Sequence, residues 1–155
     1  MITRKMKKEP SHDVQTDFTK LIGYVERLPL QNVSSTEYLS NIVLLLSSRK
    51  GREAAKAAGA LGSIAARDAA CKAACVSVGA VPALVSLLSS SRGNEAEVAA
   101  WALRNIAWGG AACAAACVSA GAVPALVSLL STIKGDKAIF AKQAMYCMIT
   151  KGKSW

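Results

Sequence analysis

The stretch that decides the fold is ACVSVGAVPALVSLLS at 74–89, because it returns at 116–131 as ACVSAGAVPALVSLLS with one change, Val78 to Ala120. The two copies begin 42 residues apart. Helical repeat units of roughly 40–47 residues stack into solenoids in which each unit contacts only its neighbours. Alanine, leucine and valine dominate the composition, and these residues suit closely packed helices. The sequence therefore predicts an all-α solenoid.

Two kinds of break recur with the same period. A Gly-x-Val-Pro step occurs at 79–82 and at 121–124, and a second glycine follows each Leu-Leu-Ser motif, at Gly51, Gly93 and Gly135. Glycine just past one helix and proline in the first turn of the next are typical of a sharp corner between helices. The pattern predicts three helices per unit and three units within 34–150, at about 34–66, 68–108 and 110–150.

The segments outside the repeats are basic. The chain carries a net charge of +9, from 19 basic and 10 acidic residues. We expect a disordered basic tail at 1–12, an amino-terminal helix or cap at 13–33, and a second basic tail at 151–155. The basic ends have no interleaved aromatic residues to stack on bases, so direct nucleic-acid binding is not expected.

The stretch from Asn105 to Ile133 contains no charged residue and is long enough to cross a bilayer. One period earlier, however, the equivalent segment carries Arg67, Asp68 and Lys72. Two copies of one structural unit should share one environment. We therefore predict that the stretch is buried solenoid core and that it is not a transmembrane segment.

The cysteines follow the repeat, with pairs at Cys71 and Cys75 and at Cys113 and Cys117, and a fifth at Cys147. The single histidine is far away in sequence, so neither a metal site nor any other cofactor is expected, and the thiols are predicted to be small buried packing groups. An odd number of cysteines fits a reducing compartment, either cytoplasm or nucleus. No phosphate-binding loop, carboxylate pair or nucleophile–base pair is present, so no catalytic residues are predicted.

The strings GAVPALVSLL, at 79–88 and 121–130, and EVAAWALRNIAWGG, at 97–110, resemble armadillo repeats, and most closely those of importin-α. The resemblance covers roughly 34–150. It implies a right-handed superhelix of about three repeats, whose third helices line a concave groove for extended peptides. In that family the tryptophan and asparagine of this motif grip lysine stems and pin the ligand backbone. Here they correspond to Trp101 and Asn105.

A helical wheel of 94–108 predicts the working surface independently. Ala99, Ala102, Leu103 and Ile106 form the core side. The opposite side carries the predicted peptide-binding residues, which are Glu97, Val98, Trp101, Arg104, Asn105 and Trp108. We expect Trp101 to contact ligand, whereas for Trp108 packing over the adjacent Gly109-Gly110 turn is favoured over binding.

The predicted function is a non-catalytic module that binds an extended peptide of a partner protein. Because Glu97 is the only acidic residue on the exposed side of the third helices, against Lys56, Arg104 and Lys142, an acidic or neutral peptide is favoured. Two alternatives stay open. One is an importin-α-like receptor for nuclear localisation signals, although the Trp/Asn pair is replaced by Gly59 and Ser63 one period earlier and by Gln143 and Cys147 one period later.

The other alternative is a structural module that packs into a larger assembly. The last predicted helix carries Met145, Met148 and Ile149 with no following repeat to cover them. Stacked repeats need polar terminal caps. The chain is therefore expected to be a short family member or a fragment, or to self-associate through its terminal repeats.

Overall fold

A computed structural model describes residues 36–48, 51–90 and 94–151. Within these ranges all regular structure is helical, with eight α-helices, one short 3-10 helix and no strand. The all-α prediction is confirmed. The helices are α1 Thr36–Ser48, α2 Gly51–Ala65, α3 Ala69–Ser77, α4 Ala80–Ser90, α5 Asn94–Ala107, α6 Ala111–Ser119, α7 Ala122–Leu130 and α8 Ile139–Lys151, with the 3-10 turn Gly135–Ala138 before α8.

The helices repeat with the period read from the sequence. α3, α4 and α5 form one complete three-helix unit, α6, α7 and α8 form the next, and α1 and α2 are the second and third helices of a preceding one. The tail predicted at 1–12, the helix or cap predicted at 13–33 and residues 152–155 lie outside the described residues, while Lys151 ends α8.

The corners between first and second helices follow from the glycines. α3 and α4 meet at 75°, and α6 and α7 meet at 74°. Gly79 has φ +84° and Gly121 has φ +88°, which is left-handed backbone that glycine adopts without a Cβ penalty. The predicted Gly-x-Val-Pro corner is confirmed in both copies.

The third helices of successive units pack directly on one another. α5 packs on α2 along one side and on α8 along the other, and these are the two most extensive helix contacts in the described chain. Ala99, Ala102, Leu103 and Ile106 are fully buried, as the wheel predicted. Each junction between successive units is therefore built mainly by one pair of third helices.

The apolar core is continuous, and it takes in only part of the charge-free stretch, since Val118 and Val127 of that stretch are exposed. Leu103, Ile106, Leu126 and the smaller Ala114 and Ala122 are fully buried in it. No single helix of the described chain is long and apolar enough to cross a membrane; the pairs α3–α4 and α6–α7 reach the required length and composition only together, across their bends.

Candidate functional site

The candidate site lies along the seam between α5 and α8, whereas Asn105 of α5 is buried against α2. Its side chain is 7% exposed, and its Nδ2 donates to the Gly62 carbonyl oxygen of α2 at 3.0 Å. Placing Asn105 on the exposed side was wrong, because α5 is flanked by both α2 and α8 and the buried arc is wider than a free helix would have. Asn105 thus ties two units together. Its predicted role in binding a ligand backbone stays a prediction.

Trp101 also contacts the preceding unit. A Cβ built on Gly62 would lie 2.5 Å from Cζ3 and 2.7 Å from Cε3 of the Trp101 ring, so the indole occupies the space that a larger residue at 62 would need. On the same helix, a Cβ built on Gly59 would lie 3.9 Å from Cγ1 of Val98. The two glycines of α2 form a flat surface on which these α5 side chains pack. Trp101 is half-buried, with one part in this junction and another facing the seam with α8.

Trp108 does not cover the Gly109-Gly110 turn as the sequence had predicted. Its side chain is 55% exposed, and the Lys151 ammonium lies 5.3 Å from its ring centroid, within cation–π distance. The space beside Gly109 is taken by Lys72, whose Cδ would lie 2.8 Å from a Cβ there and whose Nζ donates to the Ala65 carbonyl oxygen at 2.6 Å. With Lys72 covering the turn, Trp108 is left on the surface.

Two clefts lie along the seam. The smaller, of about 230 Å³, is lined by Asn94, Glu97, Val98 and Trp101 of α5 and by Phe140 of α8. The larger, of about 410 Å³, is lined by Arg104 and Trp108 of α5 and by Lys142, Gln143 and Tyr146 of α8. The structure therefore brings five of the six predicted site residues to these clefts, while the sixth, Asn105, is buried and bonded to α2.

Arg104 stands where the two clefts meet. Its guanidinium carbon lies 5.6 Å from the centroid of the Phe140 ring, which lines the smaller cleft. The Arg104 Nε is buried without a hydrogen-bond partner in the described part of the chain. The clefts consequently differ in charge, since Glu97 is the charged residue of the smaller one, whereas the larger is lined by Arg104 and Lys142.

Sequence reasoning considered Lys142 and Gln143 of α8 but missed Phe140 and Tyr146. Phe140 and Tyr146 follow Val98 and Arg104 by one period of 42 residues, so the signal that could have found them was the repeat itself. Tyr146 is 68% exposed. Adding 42 to the number of each predicted site residue on α5 gives its counterpart on α8, the other side of the seam.

The cysteines form no site of their own. All five are free and buried, which confirms the prediction of small packing thiols. Burial is the main cause that raises the pKa of the Cys75 and Cys117 thiols to about 12, so they are neutral near pH 7. Over the described ranges, no three histidine, cysteine, aspartate or glutamate side chains are grouped so that they could hold a metal ion.

Comparisons with known proteins agree with this geometry. The family model for the Armadillo/beta-catenin-like repeat matches residues 68–108, which run from the residue before α3 to just past α5. No curated protein matches the chain significantly. Among solved structures, an engineered protein superposes with a TM-score of 0.79 at 28% identity, covering 94% of this chain and 60% of its own.

A designed armadillo repeat protein, solved in complex with the peptide (KR)4, superposes with a TM-score of 0.78 at 26% identity, covering 90% of this chain and 59% of its own. A computationally designed armadillo repeat protein for modular peptide recognition gives 0.67 at 29% identity, covering 72% and 47%. The chain thus spans about 60% of the first two structures. With a matched repeat in the middle of the chain and the same solenoid around it, residues 68–108 form an armadillo repeat and the described chain has the armadillo solenoid fold.

Proposed function

We propose that the seam between α5 and α8 binds an extended peptide segment of a partner protein, without catalysis. The observation that carries the proposal is the larger cleft, where exposed Trp108 and Tyr146 stand beside Arg104 on facing third helices. Large aromatic side chains and arginine are the residues that contribute most to binding energy at protein interfaces. Support also comes from the designed armadillo protein of the same fold, which was solved with a peptide.

The net charge of the seam favours an acidic or neutral peptide over a basic one. Arg104 and Lys142 line the larger cleft, and Glu97 is the only acidic residue of the described ranges that lines either cleft. A like-charged ligand is repelled at such a surface, and an oppositely charged one is steered towards it. The five buried thiols fit a reducing compartment, so we place this interaction in the cytoplasm or the nucleus.

A nuclear-import-type receptor for basic signals is the second candidate, because the peptide held by the designed armadillo protein is (KR)4. Against it, Lys151 of this chain already lies over the Trp108 ring, where a ligand lysine would have to compete with it. Lys-rich and Glu-rich peptides of equal length, titrated at low and physiological salt, separate the two candidates. Tighter, salt-sensitive binding of the Glu-rich peptide supports the favoured sign, and tighter binding of the Lys-rich peptide supports the import-type receptor.

The variants that test binding must leave the stack intact. Trp101→Ala and Asn105→Ala are unsuitable, because both side chains pack against α2. Tyr146→Ser is suitable, since Tyr146 is 68% exposed. The matched control is Val127→Ser on α7, which also removes an exposed apolar group, 51% exposed, but lines neither cleft.

The experiment selects ligands for the wild-type protein from a library of random peptides and measures their affinities by fluorescence anisotropy. We expect the selected peptides to bind wild type and Val127→Ser equally, and to bind Tyr146→Ser about tenfold more weakly, as for an aromatic interface residue. Circular dichroism should be the same for all three proteins. Selection that yields no peptide, or peptides insensitive to Tyr146→Ser, would instead favour the structural packing module.

A further inference from the structure

We infer that the seam recognises a peptide with two charges of opposite sign, the basic side chain entering the smaller cleft and the acidic one the larger. This inference rests on the proposed function and specifies its ligand. Its basis is that one seam carries two separate clefts whose charged linings have opposite sign. A ligand of uniform charge satisfies one cleft and is repelled by the other.

The smaller cleft has the groups that hold a cation. Glu97 supplies a carboxylate, and Trp101 and Phe140 supply aromatic rings, which attract a cation through their negative faces. Its volume of about 230 Å³ suits the end of one long side chain. Of the two charged groups a peptide offers, a lysine or arginine side chain is therefore the one that fits here.

The larger cleft has the groups that hold an anion. Arg104 and Lys142 line it, and no carboxylate of the described chain does. Among the described residues the buried Arg104 Nε has no hydrogen-bond partner, whereas an arginine that meets a carboxylate has its N–H groups satisfied by charge-assisted hydrogen bonds. A glutamate or aspartate side chain of the peptide would accept a hydrogen bond from Arg104 and balance the positive charges of Arg104 and Lys142.

The separation of the two charged linings follows from the spacing of Glu97 and Arg104 on α5. Glu97 and Arg104 are seven residues apart on α5, which corresponds to about 10 Å along a helix axis. A polyproline II peptide rises about 3.1 Å per residue and returns a side chain to the same face every third residue, so positions i and i+3 are about 9 Å apart. The favoured ligand thus has two residues between its basic and acidic side chains.

The test uses a set of synthetic peptides that share one neutral background and differ only at positions i and i+3. The set contains the mixed pairs Lys-x-x-Glu and Glu-x-x-Lys, the uniform pairs Lys-x-x-Lys and Glu-x-x-Glu, and a Gln-x-x-Gln reference. We expect one mixed order to bind wild type about two- to fivefold more tightly than either uniform pair, as for partly exposed ion pairs. Raising the salt concentration should reduce this preference.

The charge reversal Glu97→Lys makes both clefts basic, so the preference should change from the mixed pair to Glu-x-x-Glu. The exposed Lys142→Glu variant should weaken binding of the mixed pair. The matched control is Lys56→Glu, because Lys56 is exposed on α2 one period before Val98 and lines neither cleft. It should leave the ranking of the peptides unchanged.

Failure of the inference is distinguishable from failure of the proposed function. If library-selected peptides bind in a Tyr146-dependent manner but the charge pattern does not matter, or if Glu97→Lys does not change the preference, the two-charge inference is overturned and the binding function stands. If no selected peptide and no member of the charge set binds, the proposed function fails, and the inference with it.

Discussion

At the scale of single residues, the junction between α2 and α5 depends on two positions of α2 that have no side chain. Gly59 and Gly62 provide no side chain, and Val98 and Trp101 of α5 occupy the space above them. One period later the same two positions are Trp101 and Arg104, which line the seam with α8. The same two positions of the repeat therefore allow close packing at the α2–α5 junction and line the clefts at the α5–α8 junction.

The two glycines predict opposite responses to the same substitution. In Gly62→Ala the new Cβ would lie 2.5 Å from the stiff Trp101 ring and 3.2 Å from the Ala102 Cα, so the free energy of unfolding should fall by about 1–3 kcal/mol, as for an overpacked core. In Gly59→Ala it would meet Val98 at an ordinary 3.9 Å. Better helix propensity should then raise stability by about 0.5–1 kcal/mol. Urea unfolding followed by circular dichroism measures both, and equal effects would contradict this account.

At the scale of elements, the glycines at the corners between α3 and α4 and between α6 and α7 are required by backbone conformation and not by lack of space for a side chain. Nothing lies within 4 Å of a Cβ built on Gly79 or Gly121, yet both have φ near +85°. The cost of any other residue there is consequently the left-handed backbone alone.

Gly79→Ala should therefore lower the free energy of unfolding by about 1–2 kcal/mol. Gly79→Asn should lose less, because asparagine tolerates left-handed backbone better than other residues do. Gly121→Ala is the internal control and should match Gly79→Ala. Thermal unfolding would contradict the prediction if the alanine and asparagine variants were equally stable.

The start of α3 carries a charge-dependent cap that the start of α6 lacks. The Asp68 carboxylate accepts a hydrogen bond from the Cys71 N–H at 2.8 Å, whereas Gly110 caps α6 without a side chain. This backbone hydrogen bond from Cys71 is the main reason that the pKa of Asp68 is lowered in the folded protein. A lowered folded pKa means that the contribution to stability is present above the unfolded value of 3.8 and is lost as the pH falls through the folded value.

Asp68→Asn should accordingly lower the unfolding midpoint at neutral pH, and the difference from wild type should shrink below pH 3.8. Asp68→Ala, which removes the cap altogether, should remain less stable than wild type across the whole range. Thermal unfolding as a function of pH measures both. A difference between wild type and Asp68→Asn that does not depend on pH would show that the carboxylate charge is not involved.

At the scale of the whole molecule, the sequence predicted the fold better than the site for a physical reason. The period of 42 shows which helices are equivalent, and the glycines show where the chain turns. Both can be read directly from the sequence, so the solenoid could be predicted without the structure. A helical wheel treats α5 as if it had one buried side, whereas α5 lies between α2 and α8. For that reason the burial of Asn105 and the packing of Trp101 against α2 appear only when neighbouring units are in place, whereas the period alone could have pointed to Tyr146.

The buried thiols report on the integrity of the whole stack. Because burial raises the pKa of Cys75 and Cys117 from 9.0 to about 12, the folded state binds more protons than the unfolded state between these values. Their contribution to stability is therefore full below pH 9 and is lost as the pH rises towards 12. Cys75→Ala with Cys117→Ala should reduce the slope of stability against pH in this range.

Thiol labelling of the native protein gives the matching kinetic measurement. All five cysteines are buried, so labelling at pH 8 should be slow and should become fast in denaturant. Rapid labelling of Cys75 or Cys117 under native conditions would mean that the stack opens locally, and would contradict a continuous core.

The contrast between a closed junction at α2–α5 and an open one at α5–α8 has a consequence for design. The two long repeats are nearly identical through their first and second helices, and they diverge mainly in their third helices. The third helices also build the junctions, so a third helix exchanged between units would have to match its neighbour as well as the ligand. Trp101, for example, would need a glycine opposite it, as Gly62 is now, so grafting into another unit would have to transfer adjacent third helices as a pair.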